Sequence, residues 1–390
     1  MNPKIVRFIT QENPSTPCLI VDVDEVENRY RLLQKLLPKG RIYYAVKANP
    51  AMAVLKRLVK LGACFDAASW EEIALCLKAG AQPNSISFGN TIKKVSAIRK
   101  AYEAGVRLFA FDCREELEKL AQNAPGSLVY CRLLVDGYKA EWPLSRKFGT
   151  TVESAHDLMC EARVLGLDPY GLSFHVGSQQ LSVEAYEVAI ARVASLFEEL
   201  KTEGLNMRMV NLGGGFPVCY AEDVPDIDDF TKAISNTISR YFREEWPEIL
   251  LEPGRFIVGE AGVVYTEAVL VSARGARNGT RWVYLDIGRF GGLAETENES
   301  IRYAILSWRY LESDLCQSDF GGKEELALGS VVLAGPTCDG ADILYEKTHY
   351  TLPLDLVSGD TLVILGAGAY VSTYCSTCFN GFRPLDEYYI

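Results

Sequence analysis

A chain of 390 residues, 48% apolar and 23% charged, has enough apolar content for two packed domains and too little bias for disorder or a coiled coil. Its 40 Lys and Arg against 51 Asp and Glu leave a net charge of −11, which argues against nucleic-acid binding, built on concentrated positive charge, and suits a small cationic substrate. No stretch approaches the roughly 18 uninterrupted apolar residues of a membrane span, and the start MNPKIVRFITQENP has no apolar signal core, so a cytoplasmic protein away from membranes is expected.

In chain order, the run CLIVDV at 18–23 is strand-like. Short β-branched or aromatic runs follow at 41–46, 63–66, 85–88 and 106–111, spaced at about the length of a βα unit. Between them lie helical patterns at 52–61, 69–79 and 92–104, with Gly62, Gly80 and Gly105 placed to end them. Further strands are expected at 128–135, 170–176, 208–212 and 249–252, with helices at 151–165, 183–203 and 229–243. Eight strands, each but the last followed by a helix, predict a (β/α)8 barrel, with a doubly wound sheet as the rival. From about 260 the pattern turns to strand-rich segments punctuated by Gly, Asp and Pro, which reads as a separate antiparallel β domain that the 18–23 strand joins. The expected fold is therefore α/β, with a barrel over 24–259 and a β domain formed by 1–23 plus 260–390.

Eleven cysteines, an odd count in a long chain, read as reduced thiols. Cys375 and Cys378 have CxxC spacing, but zinc needs two further ligands at a matching spacing; the pair is expected to be packed thiols, and no metal is expected.

Barrel enzymes build their sites where strands end. The first strand runs into Lys47, whose amine, if desolvated there, becomes a nucleophile for an aldehyde; the plain alternative is a lysine snorkelling at a strand end. The second strand ends at Asp66, the sixth at His175 and Ser178, the seventh at Gly213, Gly214 and Gly215, and the eighth at Glu252, Gly254 and Arg255. The glycines open backbone N–H groups to an anion, and Ser178 and Arg255 add donors for a phosphate, although triple glycines also serve tight turns. Glu252 is placed to meet a heteroaromatic nitrogen, or else simply pairs with Arg255. An aldehyde-binding lysine, a phosphate cradle and a carboxylate for a ring nitrogen are together the requirements of pyridoxal 5'-phosphate.

YYAVKANP, FDAAS at 65–69, FHVGSQ at 174–179, NLGGGFP at 211–217, EPGRFIV at 252–258, GPTCDGAD at 335–342 and GAGAY at 366–370 resemble, in order and spacing, the signatures of the fold type III pyridoxal-phosphate decarboxylases. This alanine-racemase-like family holds ornithine, lysine, arginine and diaminopimelate decarboxylases. GPTCDGAD is similar to its basic-amino-acid branch, bacterial-type ornithine decarboxylases above all. The resemblance implies that Lys47 links the cofactor covalently, His175 stacks on its ring, Glu252 holds the ring nitrogen and Asp66 lies near the lysine. Ser178, Gly213, Gly214, Gly215, Gly254, Arg255 and Tyr370 would hold the phosphate. It also implies a homodimer with shared sites, in which Cys338 of the other subunit helps protonate the reaction centre and Asp339 grips the substrate's distal ammonium. The chain departs from the family in two places. The cofactor-contacting arginine of the animal enzymes falls at Pro143, with Arg146 as a substitute, and the substrate-binding aspartate is replaced by Glu299 in the acidic cluster Glu295, Glu297 and Glu299, whose alternative is a solvated loop. The implied activity is decarboxylation of L-ornithine to putrescine and CO2 in polyamine biosynthesis. Lysine or dual lysine/ornithine decarboxylation is the near rival, and a non-catalytic regulatory homologue of the antizyme-inhibitor kind the distant one.

Overall fold

The computed structural model describes all residues except 136–139, 143–146, 244, 275–278 and 312–326. Two compact units divide the chain: Val26–Val218 with Val224–Ile257, and Met1–Glu25 with Cys219–Asp223 and Val258–Ile390.

The first unit is a closed parallel barrel. Its strands, in chain order, are Gly40–Ala45, Cys64–Ala67, Ile86–Phe88, Leu108–Phe111, Leu128–Arg132, Asp168–Ser173, Met209–Asn211 and Glu248–Leu251, and the last pairs with the first through Ile249 and Gly40. Helices alternate with them as the pattern predicts. Met52–Lys60 and Trp70–Ala79 present apolar faces to the sheet, and Gly80 closes the second in the left-handed conformation (φ 104°) that glycine adopts at least cost. The barrel is filled, not hollow: Tyr43, Cys64, Leu108, Ala110, Tyr130, Met209 and Leu250 form one buried cluster inside it. Side chains alternate across a strand, so the residues two positions on from Cys64, Tyr130, Met209 and Leu250 share their inward face one layer nearer the carboxyl ends. Those residues are Asp66, Arg132, Asn211 and Glu252.

The second unit is an eight-stranded sheet. Cys18–Val21 pairs antiparallel with Gly262–Arg274, as expected, but parallel with Asp386–Tyr389, and Thr280–Leu285 runs parallel to Leu328–Ala334. The sheet is mostly antiparallel, as expected, and these two parallel pairings arise where the chain crosses between non-adjacent strands before pairing them. A helix over Pro3–Glu12 was not foreseen: Asn2 caps it by accepting from the Lys4 N–H, Pro3 opens it, and Ile5, Val6 and Ile9 pack against Cys18, Ile20, Val263 and Val363. Among the described residues no helix is long and apolar enough to cross a membrane, and no group of three or more His, Cys, Asp or Glu is arranged to hold a metal.

Candidate active site

The carboxyl ends of the barrel strands collect charged side chains: Asp66, Arg132 and Glu252. Asp66 is buried at the end of the second strand. Burial first, then the neighbouring Glu252 carboxylate, push it well above the usual carboxylate range, against the pull of Lys47 and Arg132. Its Oδ1 is buried without a hydrogen-bond partner, and Gly89 makes room for it: a Cβ there would lie 1.9 Å from that oxygen. Glu252 is raised by burial too, opposed by a hydrogen bond from Asn211 and by the charges of Lys47 and Arg132.

Lys47 sits in a one-turn 3-10 helix, Val46–Ala48, directly after the first strand. It is exposed, as the alternative of a lysine snorkelling at a strand end has it: the turn carries it out of the strand's buried face, between Val46 and Ala48, which stay buried. Its charge nonetheless reaches Asp66, Glu252 and His175.

His175 accepts the Gly177 N–H on Nδ1 at 3.0 Å. That leaves any ring proton on Nε2. Burial, then the positive charges of Arg132 and Lys47, hold the imidazole well below its ordinary pKa, so it is neutral.

Ser178 and Arg255 meet as the motif reading requires. Arg255, 4% exposed, donates to the Ser178 Oγ from both Nε (3.3 Å) and a terminal nitrogen (3.1 Å). Ser178 is held by the two-residue ladder of Ser178–Gln180 with Ala140–Trp142 and by the Gln180 N–H on the Gly215 carbonyl. All three glycines are required by close approach. A Cβ at Gly213, Gly214 or Gly215 would lie 2.5, 2.4 and 2.3 Å from the carbonyl oxygens of Phe174, Glu252 and Gly177.

Two residues escaped the sequence reading. Arg132 stands at the inward end of the fifth strand, and its charge acts on Asp66, Glu252 and His175, while Pro143 and Arg146 lie outside the described residues. Asn211 ends the seventh strand, fully buried, with its amide between Glu252 and the Gly213 N–H. Both stand two residues after an inward apolar residue, the signal that would have found them.

The remaining expected residues lie on the β unit. Cys338 and Asp339 are exposed in the 335–342 loop. Asp342 ties that loop, accepting from Thr337 N–H (3.1 Å) and Oγ1 (2.8 Å) and from the Arg289 N–H (2.8 Å), while the Cys338 N–H donates to Asn380 Oδ1 at 3.0 Å. Tyr370 is half-buried at φ 65°. Glu299 does not present a free carboxylate. Its Oε1 accepts from the Glu346 and Lys347 N–H groups (2.8 and 2.6 Å) and its Oε2 from Thr348 (3.0 Å), and these bonds hold it below the usual carboxylate range against a desolvation that pushes it up. Cys378 is exposed rather than packed, because it takes the left-handed conformation (φ 56°) in an exposed turn; Cys375 is half-buried.

The barrel mouth fits a group that carries an anionic end, an aromatic ring with a basic nitrogen and an aldehyde. The orphaned, buried Asp66 oxygen needs a partner, and Arg255 with Ser178 beside crowded glycine backbone offers donors to an anion.

The sequence signature described as "Pyridoxal-dependent decarboxylase, pyridoxal binding domain" matches residues 23–259. Among curated proteins, the chain is 34% identical to the lysine/ornithine decarboxylase of Selenomonas ruminantium, over 98% of this chain and 91% of that one. It is 31% identical to antizyme inhibitor 2 of Xenopus laevis, over 99% and 83%. Among solved structures, the lysine/ornithine decarboxylase of Vibrio vulnificus complexed with putrescine superposes with a TM-score of 0.85 at 30% identity, covering 100% of this chain and 99% of that one. The chain belongs to the pyridoxal-dependent decarboxylases, of fold type III, and its cofactor is pyridoxal phosphate. Within that family it is a decarboxylase of basic amino acids.

Proposed function

We propose that the enzyme decarboxylates L-ornithine to putrescine and CO2. The observation that carries the reading is the barrel mouth, where the charges of Lys47, Asp66, His175 and Glu252 act on one another beside an Arg255–Ser178 anion site, all within one unit. When bound, pyridoxal phosphate supplies an aldehyde that links to amines and a ring that draws off the electrons of the breaking Cα–carboxylate bond. Lys47 would hold the cofactor through Nζ, and its free amine would be able to carry a proton. Glu252 would meet the ring nitrogen and, kept charged, would favour its protonated form. His175, held neutral, would pack on the ring face without adding a competing positive charge. Asp66 would lie near the lysine end, and Arg255, Ser178, Gly213, Gly214, Gly215, Gly254 and Tyr370 would hold the phosphate.

The second half of each site, on this reading, comes from the other subunit of a homodimer in a cytoplasmic enzyme of polyamine synthesis. There Cys338 delivers a proton to Cα, and Asp339 binds the distal ammonium. Glu299 loses its part in specificity, because its carboxylate is already spent on three backbone donors. Lysine as a joint substrate is the second reading, favoured by the name of the Selenomonas relative. One methylene in a pocket separates substrates by only about 1–3 kcal/mol.

Purified enzyme assayed for product and CO2 against ornithine, lysine, arginine and diaminopimelate tests this. The proposal expects the highest kcat/KM for ornithine; comparable cadaverine formation from lysine makes the enzyme dual. A colourless protein without product from any of the four substrates would place it with the non-catalytic homologues.

A further inference from the structure

Asn211 is the one uncharged group among the inward residues Asp66, Arg132, Asn211 and Glu252, and its amide has no orientational freedom. The Gly213 N–H needs an acceptor and finds Oδ1 at 2.9 Å, so Nδ2 must face Glu252 Oε1. The reversed amide would set donor against donor at one end and acceptor against acceptor at the other. The link closes into a ring, because the Glu252 N–H donates to the Gly213 carbonyl at 2.8 Å.

We infer that Asn211 is a positioning residue: it aims the Glu252 carboxylate at the cofactor's ring nitrogen, and it ties that carboxylate to the glycine loop that receives the phosphate. The inference rests on the reading of Glu252 given above. An amide suits the task where a carboxylic acid does not. It donates to Glu252 at every pH, whereas an aspartate could do so only by keeping a proton, and two adjacent carboxyls would then share one. The same donor opposes the burial that would otherwise neutralise Glu252, alongside Lys47 and Arg132, with Asp66 and Tyr130 as the other titratable groups coupled to it. One side chain thereby sets two properties of the bound cofactor, its anchorage and its ring protonation.

The two tasks separate by substitution. Asn211→Asp keeps an acceptor for Gly213 and loses the donor to Glu252; Asn211→Leu loses both at similar volume. Holoenzyme reconstituted with pyridoxal phosphate labelled with ¹⁵N in the ring reports nitrogen protonation by NMR, and cofactor dissociation is followed separately by absorbance. Asn211→Asp should shift the ring signal toward the unprotonated position and lower kcat on the order of tenfold, with little change in KM or cofactor affinity. Asn211→Leu should do the same and also weaken cofactor binding on the order of tenfold. Wild-type ring shift and kcat in Asn211→Asp would overturn the inference, and that variant alone decides if Asn211→Leu does not fold. Glu252→Gln in the same measurement separates the two levels: a ring nitrogen still protonated there sinks the reading of Glu252, while one deprotonated there but not in Asn211→Asp sinks only the role of Asn211.

Discussion

The barrel mouth and the 335–342 loop of the β unit hold the two parts of the proposed chemistry, and they are prepared for it by different means. At the mouth, desolvation does the work: Asp66 and Glu252 are raised, and His175 is held neutral, by burial and by one another's charges. In the loop, Cys338 and Asp339 are exposed, and what is fixed is the backbone beneath them, tied by Asp342 and Asn380. The first arrangement tunes chemistry within one chain. The second presents side chains outward on a rigid support, the form expected of residues delivered to another copy.

The comparison breaks first at Lys47. Lys47→Ala should lower turnover by about 10²–10⁴-fold or more and abolish the visible absorbance of the holoenzyme, since covalent anchor and proton carrier are lost together; wild-type spectrum and rate would end the proposal. Next comes the division between chains. Lys47→Ala and Cys338→Ala homodimers should each be badly impaired, and a re-associated equal mixture should recover about a quarter of wild-type activity, because half the dimers then carry one intact site. A mixture that contains heterodimers by mass spectrometry but gains nothing would mean that the loop serves its own chain.

Smaller effects sharpen the contrast. Gly89→Ala drives a methyl group into the Asp66 carboxylate and should cost about 1–3 kcal/mol of cofactor affinity or stability, read by cofactor titration and thermal melting. Unaltered cofactor binding and melting would show that the mouth yields freely. His175 should stay neutral, with its proton on Nε2, from pH 8 down through 6 in ¹⁵N spectra of the imidazole. Because it takes up its proton only on unfolding, acidification below about pH 6.5 favours the unfolded state, and a ring titrating near 6.5 in the native enzyme would refute the desolvated mouth. Least of all, Glu299→Gln should leave the ornithine-to-lysine ratio unchanged while lowering stability by about 1–2 kcal/mol. With its folded pKa lowered, Glu299 contributes stability above its unfolded value near 4.3, and that contribution fades as pH falls through the folded one. A shifted substrate ratio would return Glu299 to the substrate.

What could be read in advance follows from the range of the interactions. The barrel strands and their helices announce themselves because period and glycine caps are local, and Asp66, Glu252 and the glycines were found because they sit where strands end. Arg132 and Asn211 were hidden because they stand inside their strands, one layer below the loops, where only the alternation of side chains and no local motif marks them. The surroundings of Glu299 were hidden for a different reason: its partners lie more than forty residues on, and nothing near it in sequence announces that a strand's backbone will donate to both its oxygens. For Lys47 the sequence left a desolvated amine and a snorkelling one open; the expected strand runs one residue beyond the observed one, and the chain leaves β geometry at Val46, which puts the lysine in the open.

The alternation of side chains makes each short barrel strand a reading frame. Deleting one residue within Glu248–Leu251 would remove no functional group, yet it would turn Glu252 from the inside of the barrel to the outside and bring Pro253 to face the site. Losing two residues restores the frame, one layer lower. In this enzyme the length of a strand counts in steps of two, and an odd change silences the mouth more thoroughly than most substitutions within it.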